Sequence, residues 1–201
     1  MRNSNLVQVI LLAAGVSRRF KNGNKLLYHI GKQSLLNQTI SHLHQAELGQ
    51  IMLVTGYEND KIIAQIPNEI DFVEKHNVNY MDGMTSSIQC AVRLCNPNVS
   101  AYMICLADQI EIKPITYQLL AQTYYQLNKN NSKLILAPYY GDRKGNPVVI
   151  SSFYRDQILA LKESNGCRPI LNAYPEHVVK ITTDDQGILT DIDRQEDLAK
   201  Y

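Results

Sequence analysis

A chain of 201 residues, 45% apolar and 19% charged, has the make-up of a globular protein large enough for one sizeable core. Twenty Lys and Arg against nineteen Asp and Glu leave a formal charge of +1, so no global field draws the chain to nucleic acid or to an anionic membrane. Any anion site must therefore be local. No charge block, low-complexity tract or internal repeat breaks the sequence, and one domain over residues 1–201 is expected. Cys90, Cys95, Cys105 and Cys167 form no C-x-x-C pair and have no His cluster beside them; read as reduced core or half-buried thiols, they point to a cytoplasmic setting.

Arg2 followed by the apolar run of residues 6–15 could imitate a secretory leader, but the run is too short to span a bilayer, and Arg18, Arg19, Lys21 and Lys25 crowd just beyond it. The aliphatic, β-branched stretch 7–13, bounded by Gly15, reads instead as a central buried strand. Residues 34–46 carry Leu35, Leu36, Ile40 and Leu43 near helical spacing, with Ser34 as N-cap. A strand over 51–54 ends at Thr55-Gly56, a short helix over 58–66 stops at Pro67, and 72–74 is a brief strand. Residues 85–94 form a helix and 101–107 a continuous apolar strand, with Asp108 at its carboxyl end. A helix over 115–127 has Pro114 in its first turn. Strands over 134–137 and 147–150 flank a Gly-containing turn, and Ser151 or Ser152 caps a helix over 152–161. Strands over 178–182 and 188–192 flank Asp184-Asp185-Gln186-Gly187 as a hairpin, and a last helix follows, with Asp193 and Glu196 as its capping box.

Strands alternating with helices predict a mainly parallel sheet covered on both faces, with ligands beyond the carboxyl ends of the strands, where Gly15, Gly56 and Asp108 can meet. Small residues Ala13, Ala14 and Gly15 let a ligand approach the main chain, Ser17 adds a hydroxyl, and Arg19 and Lys25 supply charge for a triphosphate. The loop is neither G-x-G-x-x-G nor a Walker loop, which argues against hydride transfer and P-loop hydrolysis; an ordinary turn with solvated basic residues is the plain alternative. Asp108 is placed to hold a hard cation, or simply to cap a turn, and Asp191 and Asp193 fall on one side of an extended segment that also suits a metal. Gly83-Met84-Thr85-Ser86-Ser87 opens a helix that can receive an anion or a base edge. The turns at Lys144-Gly145-Asn146-Pro147 and Gly166-Cys167-Arg168-Pro169 are, taken singly, structural.

Taken together and in this order, the segments resemble the MobA-like NTP transferases, most closely their molybdenum cofactor cytidylyltransferase branch. The opening L-A-A-G-x-S-x-R pattern is matched by Leu12 to Arg19 with Lys25, the N-x-x-W-x-x-G-M-S-S-S stretch by Asn77, Tyr80, Gly83, Met84, Thr85, Ser86 and Ser87, and L-A-D-Q by residues 106–109. Residues 145–148 are similar to the family's G-x-P-V, 166–168 to its G-A-R, and 191–193 to its closing D-I-D. The resemblance implies a Rossmann-like three-layer nucleotidyltransferase fold of α/β class with a mainly parallel mixed sheet. It implies a nucleotide site of Leu12, Ala13, Ala14, Gly15, Ser17, Arg19, Lys25, Gly83, Met84, Ser86 and Ser87. Arg19, Lys25 and Asp108 would be catalytic, Asp108 and Asp193 would bind Mg²⁺, and Asn146, Pro147 and Arg168 would lie on the acceptor side. The A-A-G form is similar to members that use CTP. The implied reaction passes CMP from CTP to a phosphate-bearing acceptor, molybdopterin or molybdenum cofactor, with a molybdoenzyme as eventual recipient. Transfer to a sugar or polyol phosphate, or a non-catalytic role in molybdoenzyme maturation, are the alternatives. Lys25 lies one residue farther from Arg19 than the family spacing, Lys21 stands at an expected Gly, Ile110 at a Pro, Glu163-Ser164 at Gly-Asp, and Asn146 at a frequent His.

Overall fold

The structure, a computed structural model, describes residues 6–20 and 23–201, so Arg2 and Lys21 lie outside the described residues. In chain order its elements are β1 (Leu6–Ala13), β2 (His29–Ile30), β3 (Gln33–Ser34), α1 (Leu35–Gln45), β4 (Ile51–Thr55), α2 (Asn59–Ala64), β5 (Phe72–His76), α3 (Met84–Leu94), β6 (Val99–Leu106), α4 (Pro114–Leu127), β7 (Ile135–Tyr140), β8 (Arg143–Lys144), β9 (Val148–Ser151), α5 (Arg155–Ala160), α6 (Arg168–Ala173) and β10 (Val178–Thr182). The main sheet has the order β10-β7-β9-β6-β1-β4-β5, with β8 added to β7. Strand β1 is parallel to β4 and β6, β4 to β5, and β10 to β7, while β9 runs against its neighbours β6 and β7. This is the mainly parallel mixed sheet of a three-layer α/β fold.

Alternation along β1 sets the layers. Val7, Val9, Leu11 and Ala13 face a core shared with α1, α2 and α4, where Leu36, Ile40, Ile62, Tyr117 and Leu120 are buried. Ile10 faces the opposite core, filled by Ile88 and Val92 of α3, Ile158 of α5 and Ile170 of α6, with Leu12 packed against it. A strand covered on both faces must be apolar at every position, and the run 7–13 is apolar except at Gln8. The α1 cap forms as the sequence predicts, with the Ser34 side chain accepting from the Asn37 N–H.

Three predicted elements differ. Residues 188–192 form no strand, so there is no hairpin after β10. The buried Asp185 carboxylate instead accepts from Gly187 N at 3.0 Å, Lys113 N at 2.8 Å and the Thr116 hydroxyl at 2.6 Å, and the chain turns through a 3₁₀ segment, Gln186–Leu189. Gly187 lies so close to the Glu111 backbone that no Cβ fits there. The helix expected over 152–161 is split into a 3₁₀ turn, Ser152–Tyr154, capped by Ser151, and the short α5. The last helix is a 3₁₀ segment, Gln195–Lys200, and its capping acid is Asp197, which accepts from Asp193 N at 2.9 Å and Arg194 N at 2.8 Å. Asp193 therefore does not spend its side chain on a cap.

All four cysteines are free; Cys90 is half-buried and the other three are buried. Burial pushes the thiols of Cys95 and Cys167 up to about 11 and about 12, and raises Cys105 further. The neutral thiol is favoured in the fold, so its stabilising contribution is complete below the ordinary thiol value of 9.0 and fades as pH climbs through about 11 to 12. A thiol reagent at pH 8 is expected to modify Cys90 alone in the native protein and all four cysteines after denaturation. Native reaction at Cys105 would show that the first core is not closed.

Candidate active site

The register of β1 with β4 and β6 pairs Ala13 with Thr55 and Leu12 with Leu106. The loop after β1, Gly56 and the segment Ala107–Asp108 therefore emerge along one sheet edge. Gly56 is needed there, because a Cβ would lie 2.6 Å from Cβ of Tyr80 and 2.9 Å from that of Ala14. Above this edge opens a cleft of about 520 Å³, floored by Ala14, Gly15 and Ser17.

Local turn chemistry delivers Lys25 into the cleft. Ser17 adopts a left-handed φ of 50°, Phe20 N donates to its carbonyl at 2.8 Å, and its hydroxyl accepts from Lys25 N at 3.1 Å. Asn24 is buried and its Oδ1 accepts from Leu26 N at 3.1 Å, which starts the 3₁₀ turn Lys25–Leu27. The Lys25 ammonium donates to Asp108 Oδ2 at 2.6 Å, to the Ile192 carbonyl at 2.6 Å and to Asp193 Oδ1 at 3.3 Å. Arg19, at the exposed rim, pairs with Asp193 Oδ2 at 3.0 Å.

Asp193 reaches this place because its neighbour is packed. Ile192 is buried with Leu35 and Ile110, and its N–H donates to the Asp108 carbonyl at 3.1 Å. The closing segment is thus stitched onto the residue whose carboxylate it must face. Thr39 of α1 fixes the same point from below, donating its hydroxyl to the Ala107 carbonyl at 3.0 Å. Partial burial and then the charges of Asp193 and Asp108 raise the Asp191 carboxyl above the ordinary range, a mark of crowded negative charge.

Asp108 Oδ1 is buried and has no hydrogen-bond partner. With Asp108 and Asp193 converging, this leaves hard oxygen atoms suited to one divalent cation that shares its remaining positions with phosphates. No group of three or more His, Cys, Asp or Glu that could hold a metal occurs among the described residues; two carboxylates with phosphate oxygens and water are a donor set that Mg²⁺ accepts.

The opposite wall is the start of α3. Gly83 has φ 95°, and a Cβ there would come 2.8 Å from Cβ of Ser164. Gly83, Met84 and Ser87 line the cleft, as do Leu12, Arg19, Lys25 and Asp108. Two residues assigned to the nucleotide do not. Ala13 faces the other layer, as strand alternation requires, and is 1% exposed in the first core. The Ser86 hydroxyl is held by Asn77 Nδ2 at 2.9 Å and donates to the Gly83 and Asn79 carbonyls, so it organises the helix start.

A second cleft, of about 380 Å³, adjoins the first through Met84, Leu106 and Ser164. Asn146 and Arg168 line it with Lys144, whereas Pro147 is buried outside it, after a cis peptide bond. Partial desolvation and then the charge of Arg168 lower the Lys144 ammonium from its ordinary value, so two cations face one space. Buried Thr85 ties the start of α3 to the turn before α6 by accepting from Gly166 N at 2.9 Å. Arg18, Asp82 and Ser164 also line the first cleft, although the sequence assigns them no role there: Arg18 fills a variable position of the loop pattern, Ser164 stands in a departure from the family's Gly-Asp, and Asp82 carries no signal.

Residues 9–178 match the MobA-like NTP transferase domain. The chain belongs to the MobA-like NTP transferase family. It is 24% identical to the molybdenum cofactor cytidylyltransferase of Escherichia coli K12 over 191 residues, covering 95% of this chain and 93% of that protein. It is also 30% identical over 150 residues, 74% of its length, to the bifunctional protein GlmU of Lactococcus lactis IL1403, and spans 31% of that longer chain. Among solved structures, Rv0371c of Mycobacterium tuberculosis superposes with a TM-score of 0.80 at 21% identity, covering 98% of this chain and 97% of the other. The same mycobacterial protein has been solved in complex with manganese, with a TM-score of 0.76 at 20% identity, covering 98% of this chain and 97% of that one. No helix among the described residues is long and apolar enough to cross a membrane.

Proposed function

We propose that this member of the family transfers CMP from CTP to a phosphate-bearing acceptor, molybdopterin or molybdenum cofactor, and releases pyrophosphate, the product passing on to a molybdoenzyme. The observation that carries this reading is the meeting of Lys25 with Asp108 and Asp193 beneath the Ala14–Gly15 loop, residues far apart in sequence. The A-A-G form of the loop and the likeness to the E. coli cytidylyltransferase favour CTP and the molybdenum cofactor. The paired cations Lys144 and Arg168 in the adjoining cleft favour an anionic acceptor.

In this mechanism the loop N–H groups from Ala14 to Ser17 receive the phosphates, and Arg19 at the rim holds the leaving pyrophosphate. Lys25 stabilises the charge that builds on the α-phosphate. An oxygen of the acceptor phosphate bonds to the α-phosphorus as the bond to the bridging oxygen of pyrophosphate breaks. No general base is required, because that phosphate is already ionised at neutral pH. Asp108 and Asp193 are the residues that hold Mg²⁺, which when bound neutralises phosphate charge and orients the oxygens for in-line transfer.

The acceptor is tested by incubating the protein with CTP, Mg²⁺ and, separately, molybdenum cofactor, a sugar phosphate and a polyol phosphate, with mass spectrometry of the products. A CMP adduct of the molybdenum cofactor is expected. An adduct of the sugar or polyol phosphate alone replaces the acceptor, and CTP left intact with every acceptor argues for a carrier.

A further inference from the structure

Three oxygens surround the Lys25 ammonium: Asp108 Oδ2 and the Ile192 carbonyl, both at 2.6 Å, and Asp193 Oδ1 at 3.3 Å. Two belong to the carboxylates that the proposed function gives to a divalent cation, and all are hard oxygen ligands. Lys25 and Asp108 are both largely enclosed, with side-chain exposures of 13% and 19%. The remaining Asp193 oxygen is paired with Arg19. Of the four carboxylate oxygens of Asp108 and Asp193, Asp108 Oδ1 alone is without a hydrogen-bond partner, and it is buried.

From this arrangement we infer that Lys25 is an internal occupant of the cation position, which it fills whenever the nucleotide is absent and leaves when a triphosphate enters. An ammonium and a divalent cation compete for one pair of carboxylates, since each repels the other across a few ångströms in a partly desolvated site. Lys25 also lines the cleft beside Gly15, Ser17 and Arg19, so a triphosphate bound there offers its ammonium a second set of oxygens. The side chain moves from carboxylates to phosphates, and the carboxylates are freed as the phosphates that complete the cation's shell arrive. Without nucleotide the cation is kept out; without Lys25 the Asp108 carboxylate loses its ion-pair partner and Asp193 keeps only Arg19 at the exposed rim. The device spares the free protein that loss and makes cation loading depend on the nucleotide. This inference rests on the proposed cation role of Asp108 and Asp193.

The test is direct binding of Mn²⁺ in the absence of nucleotide, read by electron paramagnetic resonance, together with the thermal midpoint with and without Mn²⁺. Lys25→Met is expected to bind Mn²⁺ alone on the order of ten-fold more tightly than the wild type, as removal of one like charge from a partly screened site requires. Its midpoint falls without Mn²⁺ and recovers with it. Lys25→Arg keeps the charge and stays as weak as the wild type, and Lys25→Met with Asp108→Asn loses the gain. Equal or weaker Mn²⁺ binding by Lys25→Met overturns the exchange. If the wild type nevertheless takes up Mn²⁺ when CTP is added, the cation site itself stands. If Mn²⁺ fails to bind even with CTP, the cation role of the two carboxylates fails and the exchange with it.

Discussion

Asp108→Ala is expected to lower turnover by roughly three orders of magnitude or more while the protein remains folded, the scale seen when a charge-organising group is removed from a transferring centre. The side chain is 19% exposed, its Oδ2 bonds Lys25 and its Oδ1 has no partner, so truncation removes no core packing. The loss falls on the transition state. Lys25 keeps the Ile192 carbonyl and Asp193 but is no longer balanced between two carboxylates. Asp108→Asn, which keeps the shape and removes the charge, is expected to fall nearly as far. Steady-state kcat with Mg²⁺, set beside the thermal midpoint, checks both. A near-normal rate in Asp108→Ala removes Asp108 from the mechanism.

Ile192→Ala carries the largest expected effect on stability, and it reaches the chemistry through packing. Large-to-small changes at fully buried aliphatic positions cost about 2–5 kcal/mol. Ile192 belongs to a small cluster with Leu35 and Ile110, which can collapse more easily than the central layers, so the low end of that range is expected. The side chain anchors the segment whose carbonyl holds Lys25 and whose next residue is Asp193. A fall in kcat should therefore accompany the fall in urea midpoint, while Ile192→Val, costing about 0.5–1.5 kcal/mol, keeps most of the rate. Loss of stability with an unchanged rate would show that Asp193 is positioned some other way.

How far the sequence reveals this protein depends on how local each signal is. Strand β1 is legible because a strand buried on both faces must be apolar throughout, and α1 because Ser34 and the spacing of Leu36, Ile40 and Leu43 are local. The same strand logic misleads over 188–192, where Asp185 reaches across to Lys113 and Thr116 and no short-range pattern reports it. The last cap shifts from Asp193 and Glu196 to Asp197, a change of one residue that releases Asp193 to face Lys25. Ala13 and Ser86 sit within the recognised motifs, yet strand alternation turns one into the core and Asn77 ties down the other. Asp108 and Lys25 could be named from the chain, but their 2.6 Å contact depends on the Ile192 N–H meeting the Asp108 carbonyl, a pairing 84 residues apart that only the fold brings about.

Phosphate balance tests nucleotidyl transfer at the Lys25–Asp108–Asp193 site. With Mg²⁺ and molybdenum cofactor present, each of the four nucleoside triphosphates is supplied in turn, and pyrophosphate and orthophosphate are quantified beside the CMP-bearing product. Nucleotidyl transfer predicts pyrophosphate from CTP in equimolar yield with that product, and none above background with Asp108→Ala. Orthophosphate in place of pyrophosphate, or equal release from wild type and Asp108→Ala, contradicts it.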